Sequence, residues 1–191
     1  MPGLLISVAS ALESQSAGLR AALNNVPSAD LALAGAFAVV FGVQRLVPTF
    51  EKGWYQKLVK PSWTPPNYVF PLVWIPLKVL QSVSLWLVWR SGSDARELAL
   101  PLGLFGLHLF LGNWWNVVFF GQHKLEESTK WMAAFWASIA ASITAFAQVN
   151  PLAALLFAPT QVWVTIAAKL NWDIVQLNKG RQEGGKGGKK K

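Results

Sequence analysis

The chain has 191 residues, of which 53% are hydrophobic and only 14% are charged, whereas a typical soluble domain carries about 25% charged residues. This composition excludes an ordinary soluble protein, and the absence of cysteine excludes a disulfide scaffold and thiolate metal sites. The net charge of +8 is not accompanied by a nucleic-acid recognition module, so we expect no nucleic-acid partner.

Five apolar segments are long enough to cross a bilayer, whose hydrocarbon core of about 30 Å requires about 20 helical residues. They cover residues 31–47, 68–89, 98–120, 131–149 and 152 to about 175. We therefore predict an all-α membrane protein, a bundle of five transmembrane helices with a lid-like loop between the first and second. Internal prolines predict kinks at Pro71, Pro76, Pro101 and Pro159.

The distribution of lysine and arginine predicts the orientation of this bundle, because basic residues accumulate in cytoplasmic loops. Eleven basic residues fall on the side of the first loop, the third loop and the C-terminus: Lys52, Lys57, Lys60, Lys124, Lys130, Lys179, Arg181, Lys186, Lys189, Lys190 and Lys191. Three fall on the other side: Arg20, Arg90 and Arg96. We therefore expect the C-terminal tail to face the cytosol.

Two terminal segments flank the predicted membrane domain, which covers residues 31–178. Residues 1–30 are mildly amphipathic, and we expect an interfacial or flexible segment. Residues 179–191 are rich in glycine and lysine, and we expect a disordered basic tail. This tail either contacts anionic lipid or stays solvated, and the sequence leaves both alternatives open.

Residues 54–74, with the sequence W-Y-Q-K-L-V-K-P-S-W-T-P-P-N-Y-V-F-P-L-V-W, join an aromatic, proline-rich loop to the second span. Pro65 and Pro66 fix the backbone near Trp63 and lower the entropy of holding its indole over a ligand. The pattern therefore favours a lid over a pocket. The alternative is a belt of tryptophans at the membrane surface, where the indole is also stable.

Several polar residues are predicted at membrane depth. Asn113 and Asn116 lie one turn apart, so their amides face one side of the third span, where they either bind a ligand or join helices. Lys78 lies near the middle of the second span, where a charge is costly and indicates function. We expect it to pair with a ligand carboxylate. The alternative is a lysine bonded to carbonyls that the prolines leave open.

Other residues carry weaker signals. Trp163, Ala167 and Asn171 recur at a spacing of four, so they form one stripe of the fifth span that could wall a cavity. His108 is a weak candidate for a haem-iron ligand, and a packed neutral imidazole is the alternative. No metal-spaced cluster, catalytic triad or phosphate-binding glycine loop is evident in the sequence.

The order of these rare residues resembles the translocator protein family, also called the TspO/MBR or peripheral benzodiazepine receptor family, from about residue 31 to 178. In the loop and second span the matching residues are Trp54, Tyr55, Leu58, Lys60, Pro61, Trp63, Pro65, Pro66, Phe70, Val73 and Trp74. In the third span they are Asn113, Trp114, Phe119 and Phe120. In the fifth span they are Pro151, Leu152, Ala153, Leu155, Pro159, Trp163, Val164, Leu170, Asn171 and Asn178.

The chain departs from the family pattern at four places. Lys78 and Thr160 each stand where the family commonly has tyrosine, Asn116 stands where it has a second tryptophan of the third span, and Trp172 replaces the tyrosine of a C-terminal cholesterol motif. That motif is a weak predictor even when it is complete.

The resemblance implies a five-helix bundle, commonly a homodimer, that binds porphyrin, haem, sterols or benzodiazepine-type drugs and requires no cofactor. The expected ligand-binding residues are Trp54, Trp63, Pro65, Pro66, Trp74, Lys78, Asn113, Trp114 and Trp163. The implied membrane is the outer mitochondrial membrane in eukaryotes, with the secretory pathway and the bacterial envelope as alternatives.

Transport, sensing and chemical degradation of the ligand are all open for such a protein. Degradation would use Trp63 or Trp163 to exchange electrons with a bound porphyrin. The sequence shows no acid-base or nucleophile pair, which favours ligand binding and transport over catalysis. A third alternative is an adaptor whose basic tail recruits partners.

Overall fold

The computed structural model describes residues 28–43 and 52–186, and all regular secondary structure within them is helical. The helices are α1 (Ser28–Gly42), α2 (Lys52–Lys57), α3 (Val69–Ser91), α4 (Ala95–Asn116), α5 (Leu125–Val149) and α6 (Pro151–Lys186), with a π-helical segment (Val117–Gly121) continuing α4. The predicted all-α fold is confirmed. Most of the N-terminal segment 1–30 and the last residues of the tail lie outside the described residues.

Four stretches are long and apolar enough to span a membrane: Val69–Ser91, Ala95–Gly121, Leu125–Val149 and Pro151–Lys179. Helix α1 contributes a shorter apolar stretch, Asp30–Gly42, and the rest of the first predicted span lies outside the described residues. Large apolar side chains such as Leu72 and Leu155 point away from the bundle, with 66% and 68% of their surface exposed. The protein is therefore a multi-pass integral membrane protein.

The starts of α4 and α6 follow from capping residues. The carboxylate of Asp94 accepts hydrogen bonds from the backbone N–H groups of Arg96 and Glu97 at 2.8 and 2.9 Å. The amide oxygen of Asn150 accepts one from the N–H of Ala153 at 3.1 Å, and Pro151 occupies the first position of α6. These side chains satisfy N–H groups that have no partner within the helix, and proline at the first position loses no hydrogen bond.

Helix α6 continues as a helix to Lys186, so its last residues overlap the predicted basic tail 179–191. Disorder of that tail stays a prediction. Extending an existing helix adds a hydrogen bond for each residue without the cost of a new nucleus, so α6 can run past its apolar part.

The prolines fall into two classes. Pro76, Pro101 and Pro159 lie inside α3, α4 and α6, as the kink prediction requires. Pro71 is instead the third residue of α3, where its missing N–H belongs to the group that has no partner within the helix. Pro71 therefore removes no hydrogen bond within the helix, and a kink is no longer expected at this proline.

The centre of the bundle is aromatic. Phe105 of α4, Phe146 of α5 and Phe157 of α6 are almost fully buried, and their ring centroids lie 5.5 to 5.6 Å apart. Helix α5 packs along both α4 and α6, while α3 packs on α6 and α1. Helices α3 and α4 contact each other little although a short turn joins them, and the space between them becomes part of the candidate site.

Candidate ligand-binding site

Two adjoining cavities lie within the described bundle. The larger, here called the aromatic cavity, has a volume of about 670 Å³ and is lined by Tyr55, Gln56, Asn67, Tyr68, Phe70, Pro71, Trp74, Trp115, Asn116, Phe120, Met132, Phe135, Trp163 and Ala167. The smaller, here called the polar cavity, has a volume of about 380 Å³ and is lined by Val40, Phe41, Pro71, Trp74, Ile75, Lys78, Gln81, His108, Leu109, Gly112, Asn113, Trp115, Asn116 and Phe135. Five residues border both: Pro71, Trp74, Trp115, Asn116 and Phe135.

The aromatic cavity offers ring faces and a few polar atoms. Trp163 meets Phe70 edge to face, with 6.0 Å between their ring centroids. The Nε1 atom of Trp163 is buried and has no hydrogen-bond partner among the described residues. A buried indole N–H usually has a partner, so this group is available to donate a hydrogen bond to a ligand.

Tyr55 contributes its phenol to the wall of the aromatic cavity from the short helix α2. Burial raises the pKa of Tyr55, so its hydroxyl stays neutral at physiological pH. The ammonium group of Lys60 lies 4.6 Å from the centroid of the Tyr55 ring, and desolvation by burial lowers the pKa of Lys60. Helix α2 therefore presents the neutral phenol of Tyr55 to the cavity, with the Lys60 ammonium near its ring.

The polar cavity gathers hydrogen-bonding side chains at membrane depth. The ammonium group of Lys78 lies 5.2 Å from the centroid of the Phe41 ring. The Nδ2 atoms of Asn113 and Asn116 each donate to a carbonyl of their own helix at 2.8 Å, which leaves their amide oxygens to accept hydrogen bonds from a ligand. Gln81 is engaged elsewhere, because its Nε2 atom donates to Oγ1 of Thr160 at 3.0 Å.

Helices α4, α5 and α6 are held together beside these cavities by one buried amide. The oxygen Oδ1 of Asn171 accepts hydrogen bonds from Nε1 of Trp115 and from Oγ of Ser128, both at 3.1 Å. Its Nδ2 atom donates to Oγ1 of Thr129 at 3.3 Å. Asn171 thereby fixes the indole of Trp115, which borders both cavities.

The loop between α2 and α3 is anchored on α6. The amide of Asn178 accepts a hydrogen bond from the N–H of Val59 at 3.1 Å and donates to the carbonyl of Val59 at 2.9 Å. The indole N–H of Trp63 donates to the carboxylate of Asp173 at 3.1 Å, and the ammonium of Lys169 lies 5.6 Å from the Trp63 ring centroid. The last residues of the loop, Asn67 and Tyr68, border the aromatic cavity, while Val59 and Trp63 lie against α6.

The sequence-predicted site residues divide between these locations. Four of them line a cavity: Trp74, Lys78, Asn113 and Trp163. Five do not line either cavity: Trp54, Trp63, Pro65, Pro66 and Trp114. A ligand-binding role for this second group stays a prediction.

Members of the second group have other contacts. Trp54 stacks on His123 with 4.2 Å between ring centroids and an interplanar angle of 14°. His123 itself lies in the left-handed region at a φ of 58°, in the turn between the π-helical segment and α5. Trp114 meets Trp131 edge to face, with 5.9 Å between their centroids. These two tryptophans therefore join structural elements outside the cavities.

His108 borders the polar cavity and is only 2% exposed. Its imidazole meets Phe105 and Phe157 edge to face at centroid distances of 4.5 and 5.0 Å. Among the described residues no group of three His, Cys, Asp or Glu side chains could hold a metal ion. The weak prediction that His108 ligates haem iron stays untested.

Sequence reasoning missed several residues of the site. Phe135 borders both cavities but comes from α5, which carried no binding signal. Gln81 and Thr160 form the link between α3 and α6, so one departure from the family pattern has a structural role. A Cβ atom at Gly112 would lie 2.8 Å from the Phe135 ring, which explains how α4 and α5 approach closely here.

The sequence profile of the TspO/MBR family matches residues 31–177. The chain is similar to the tryptophan-rich protein TspO of Chlorobaculum tepidum, with 35% identity over 141 residues that cover 74% of this chain and 89% of that protein. It is 34% identical to the tryptophan-rich sensory protein of Cereibacter sphaeroides over 130 residues, 68% of this chain and 80% of the relative. With the human translocator protein it shares 33% identity over 161 residues, 83% of this chain and 94% of the relative.

Proposed function

Because the chain belongs to the TspO/MBR family and encloses an aromatic cavity between its membrane helices, we propose that it binds tetrapyrroles such as protoporphyrin and haem. Other hydrophobic ligands, such as sterols or benzodiazepine-type drugs, use the same cavity. The biological consequence is transport, sensing or scavenging of the ligand. The names of the relatives, a translocator protein and a tryptophan-rich sensory protein, support this range.

The aromatic cavity is the observation that carries the proposal. Its volume of about 670 Å³ lies within the range of about 300 to 1,000 Å³ that is usual for sites of small ligands. The indoles of Trp74, Trp115 and Trp163 offer flat faces to a planar ring system. Binding gains about 25 cal/mol for each Å² of apolar surface buried, and the Trp163 N–H orients the ligand.

Quenching of tryptophan fluorescence tests the proposal, because three tryptophans border this cavity. The protein in lipid nanodiscs is titrated with protoporphyrin, haem, a sterol and a benzodiazepine-type drug, and empty nanodiscs give the partitioning background. We expect saturable quenching at one ligand per chain for the tetrapyrroles. Quenching that rises linearly with every ligand, as in free partitioning, would disprove the proposed function.

We propose the outer mitochondrial membrane as the location in a eukaryote, with secretory membranes or the bacterial envelope as alternatives, and a cytosolic C-terminus. The absence of cysteine permits a direct test with single cysteines at two exposed positions, Gln122 between α4 and α5 and Arg96 in the first turn of α4. In intact mitochondria an added reagent meets the cytosolic face of the outer membrane, so Gln122→Cys should react with a maleimide too large to cross that membrane, whereas Arg96→Cys should be protected. The opposite labelling pattern would show that the C-terminus faces away from the cytosol and would contradict the proposed orientation.

Enzyme-like photo-oxidative degradation of bound porphyrin is the second candidate function. The position of Trp163 supports this second function, because its ring borders the aromatic cavity and can exchange an electron with an excited ligand. Illumination of the porphyrin complex in air should then bleach the ligand absorption faster than in empty nanodiscs. We expect Trp163→Phe to slow this loss, with Trp136→Phe, on the outer face of α5, as the matched control. Equal bleaching rates with and without protein would exclude the degradative function and leave ligand binding as the proposed function.

We further propose a homodimer. The small residues Ala133, Ala137 and Ala141 form an exposed stripe on α5, and Gly103 and Gly106 are exposed on α4, so either helix can approach a second copy closely. Gly112 belongs to a different surface, because it faces Phe135 inside the bundle.

A further inference from the structure

We propose that Lys78 makes this protein selective for hydrophobic carboxylic acids, with the carboxylate in the polar cavity and the apolar body in the aromatic cavity. This inference rests on the proposed function and names the chemical class of its preferred ligand. Neutral ligands of the same shape bind more weakly.

The position of Lys78 is the first step of the argument. The residue lies near the middle of α3 (Val69–Ser91), is partly buried, and borders the polar cavity. A cation at such depth in a membrane helix is costly and is directed toward the bundle interior or a cavity. Its ammonium lies 5.2 Å from the centroid of the Phe41 ring, and a ring quadrupole attracts a cation less strongly than a full negative charge does.

The charge of the cavity wall is the second step. Among the described residues, those that line the polar cavity include Lys78 and no aspartate or glutamate, so this part of the wall carries a net positive charge. The attraction between opposite charges is stronger in this apolar environment than in water. A carboxylate inside the cavity would therefore form a charge-assisted hydrogen bond with Lys78.

The remaining polar groups restrict the kind of anion. Asn113 and Asn116 direct their Nδ2 donors to carbonyls of α4, and Gln81 directs its own to Thr160. The cavity therefore offers one strong cation and few free N–H groups. A doubly charged phosphate needs several donors when it is buried, whereas a single carboxylate is satisfied by one ammonium group and a few further contacts.

The shared wall is the final step. Trp74, Trp115 and Phe135 border both cavities, so a ligand whose carboxylate contacts Lys78 can continue directly into the aromatic cavity. Asn113 lines the polar cavity and Asn116 borders both cavities, so their amide oxygens can accept hydrogen bonds from ligand N–H groups. An amphiphile with an acidic head and a flat apolar body matches this division into a polar and an aromatic compartment.

A comparison of an acid with its ester tests the selectivity, because the two differ in charge and share the apolar body. The probes are protoporphyrin and its dimethyl ester, titrated against the protein in neutral-lipid nanodiscs with empty nanodiscs as the partitioning reference. We expect the wild-type protein to prefer the acid by about tenfold or more, as one charge-assisted hydrogen bond allows. Lys78→Met should abolish this preference by lowering the affinity for the acid, and Lys78→Arg should retain it.

Lys130→Met is the matched control, since it removes one exposed positive charge at the start of α5, outside both cavities. It should bind acid and ester as the wild type does. Equal wild-type affinities for acid and ester, or a preference that survives Lys78→Met, would overturn the inference while leaving the proposed function intact. Failure of both probes to bind the wild type would instead overturn the proposed function. Lys78→Gln serves as a second neutral variant if Lys78→Met loses ester binding.

Discussion

Replacement of Ala167 by Phe is expected to weaken tetrapyrrole binding by at least about tenfold, which corresponds to about 1.4 kcal/mol. Ala167 lines the aromatic cavity from α6, next to Trp163. A benzyl group at this position would occupy space that the ligand needs. The dissociation constant measured by fluorescence quenching in nanodiscs gives the effect directly.

The matched control for this substitution is Ala34→Phe on α1. Ala34 is exposed on the outer surface of the bundle and lines neither cavity, so the same increase in side-chain volume falls in the lipid. Affinity should then equal that of the wild type. If Ala167→Phe binds as tightly as Ala34→Phe while both variants unfold at the wild-type temperature, the ligand does not occupy the aromatic cavity.

Asn171→Leu is expected to destabilise the bundle by about 2 to 4 kcal/mol, since interhelical hydrogen bonds in membranes contribute about 0.6 to 2 kcal/mol each and an unpaired buried donor adds about 1 to 3 kcal/mol. The substitution removes three contacts, which join Asn171 to Trp115, Ser128 and Thr129. The midpoint of thermal unfolding in detergent should fall by roughly 5 °C or more. Binding should weaken as well, because the Trp115 indole loses its orientation.

Asn113→Leu separates this linking role from the general cost of replacing a membrane asparagine. The Nδ2 atom of Asn113 bonds only to the carbonyl of Leu109 in its own helix, so no connection between helices is lost. We expect a much smaller change in the unfolding midpoint. Equal midpoints for the Asn171 and Asn113 variants would show that the Asn171 contacts do not hold the helices together.

The membrane helices could be predicted from the sequence because their signal is local. The predicted segments 68–89 and 98–120 agree closely with α3 (Val69–Ser91) and with α4 plus its π-helical continuation, which end at Gly121. The fourth predicted segment, 131–149, begins later than α5, which starts at Leu125. Its first turn carries Glu126 and Glu127, whose charges reduce the apolar signal although acidic residues stabilise a helix N-terminus.

The cavities were only partly predictable, because they arise between helices that are distant in sequence. Lys78 and Asn113 stand out in the sequence because a polar residue at membrane depth is unusual in itself, and Trp163 stands out as the aromatic member of a stripe with Ala167 and Asn171. Phe135 gave no such signal, and its role depends on how closely α5 approaches Gly112 of α4. The loop proline pattern predicted that the Trp63 indole is held over a ligand. It gave no sign that this indole bonds to Asp173, which lies 110 residues away on α6.

Photochemical cross-linking tests the location of the ligand most directly. A diazirine derivative of the tightest-binding tetrapyrrole is photolysed in the nanodisc complex, and the modified residues are identified by mass spectrometry. We expect insertion at residues that line the aromatic cavity, such as Trp74, Trp115 and Trp163. Insertion confined to the lipid-facing groove between α5 and α6, at Trp136 and Trp172, would contradict binding inside the bundle.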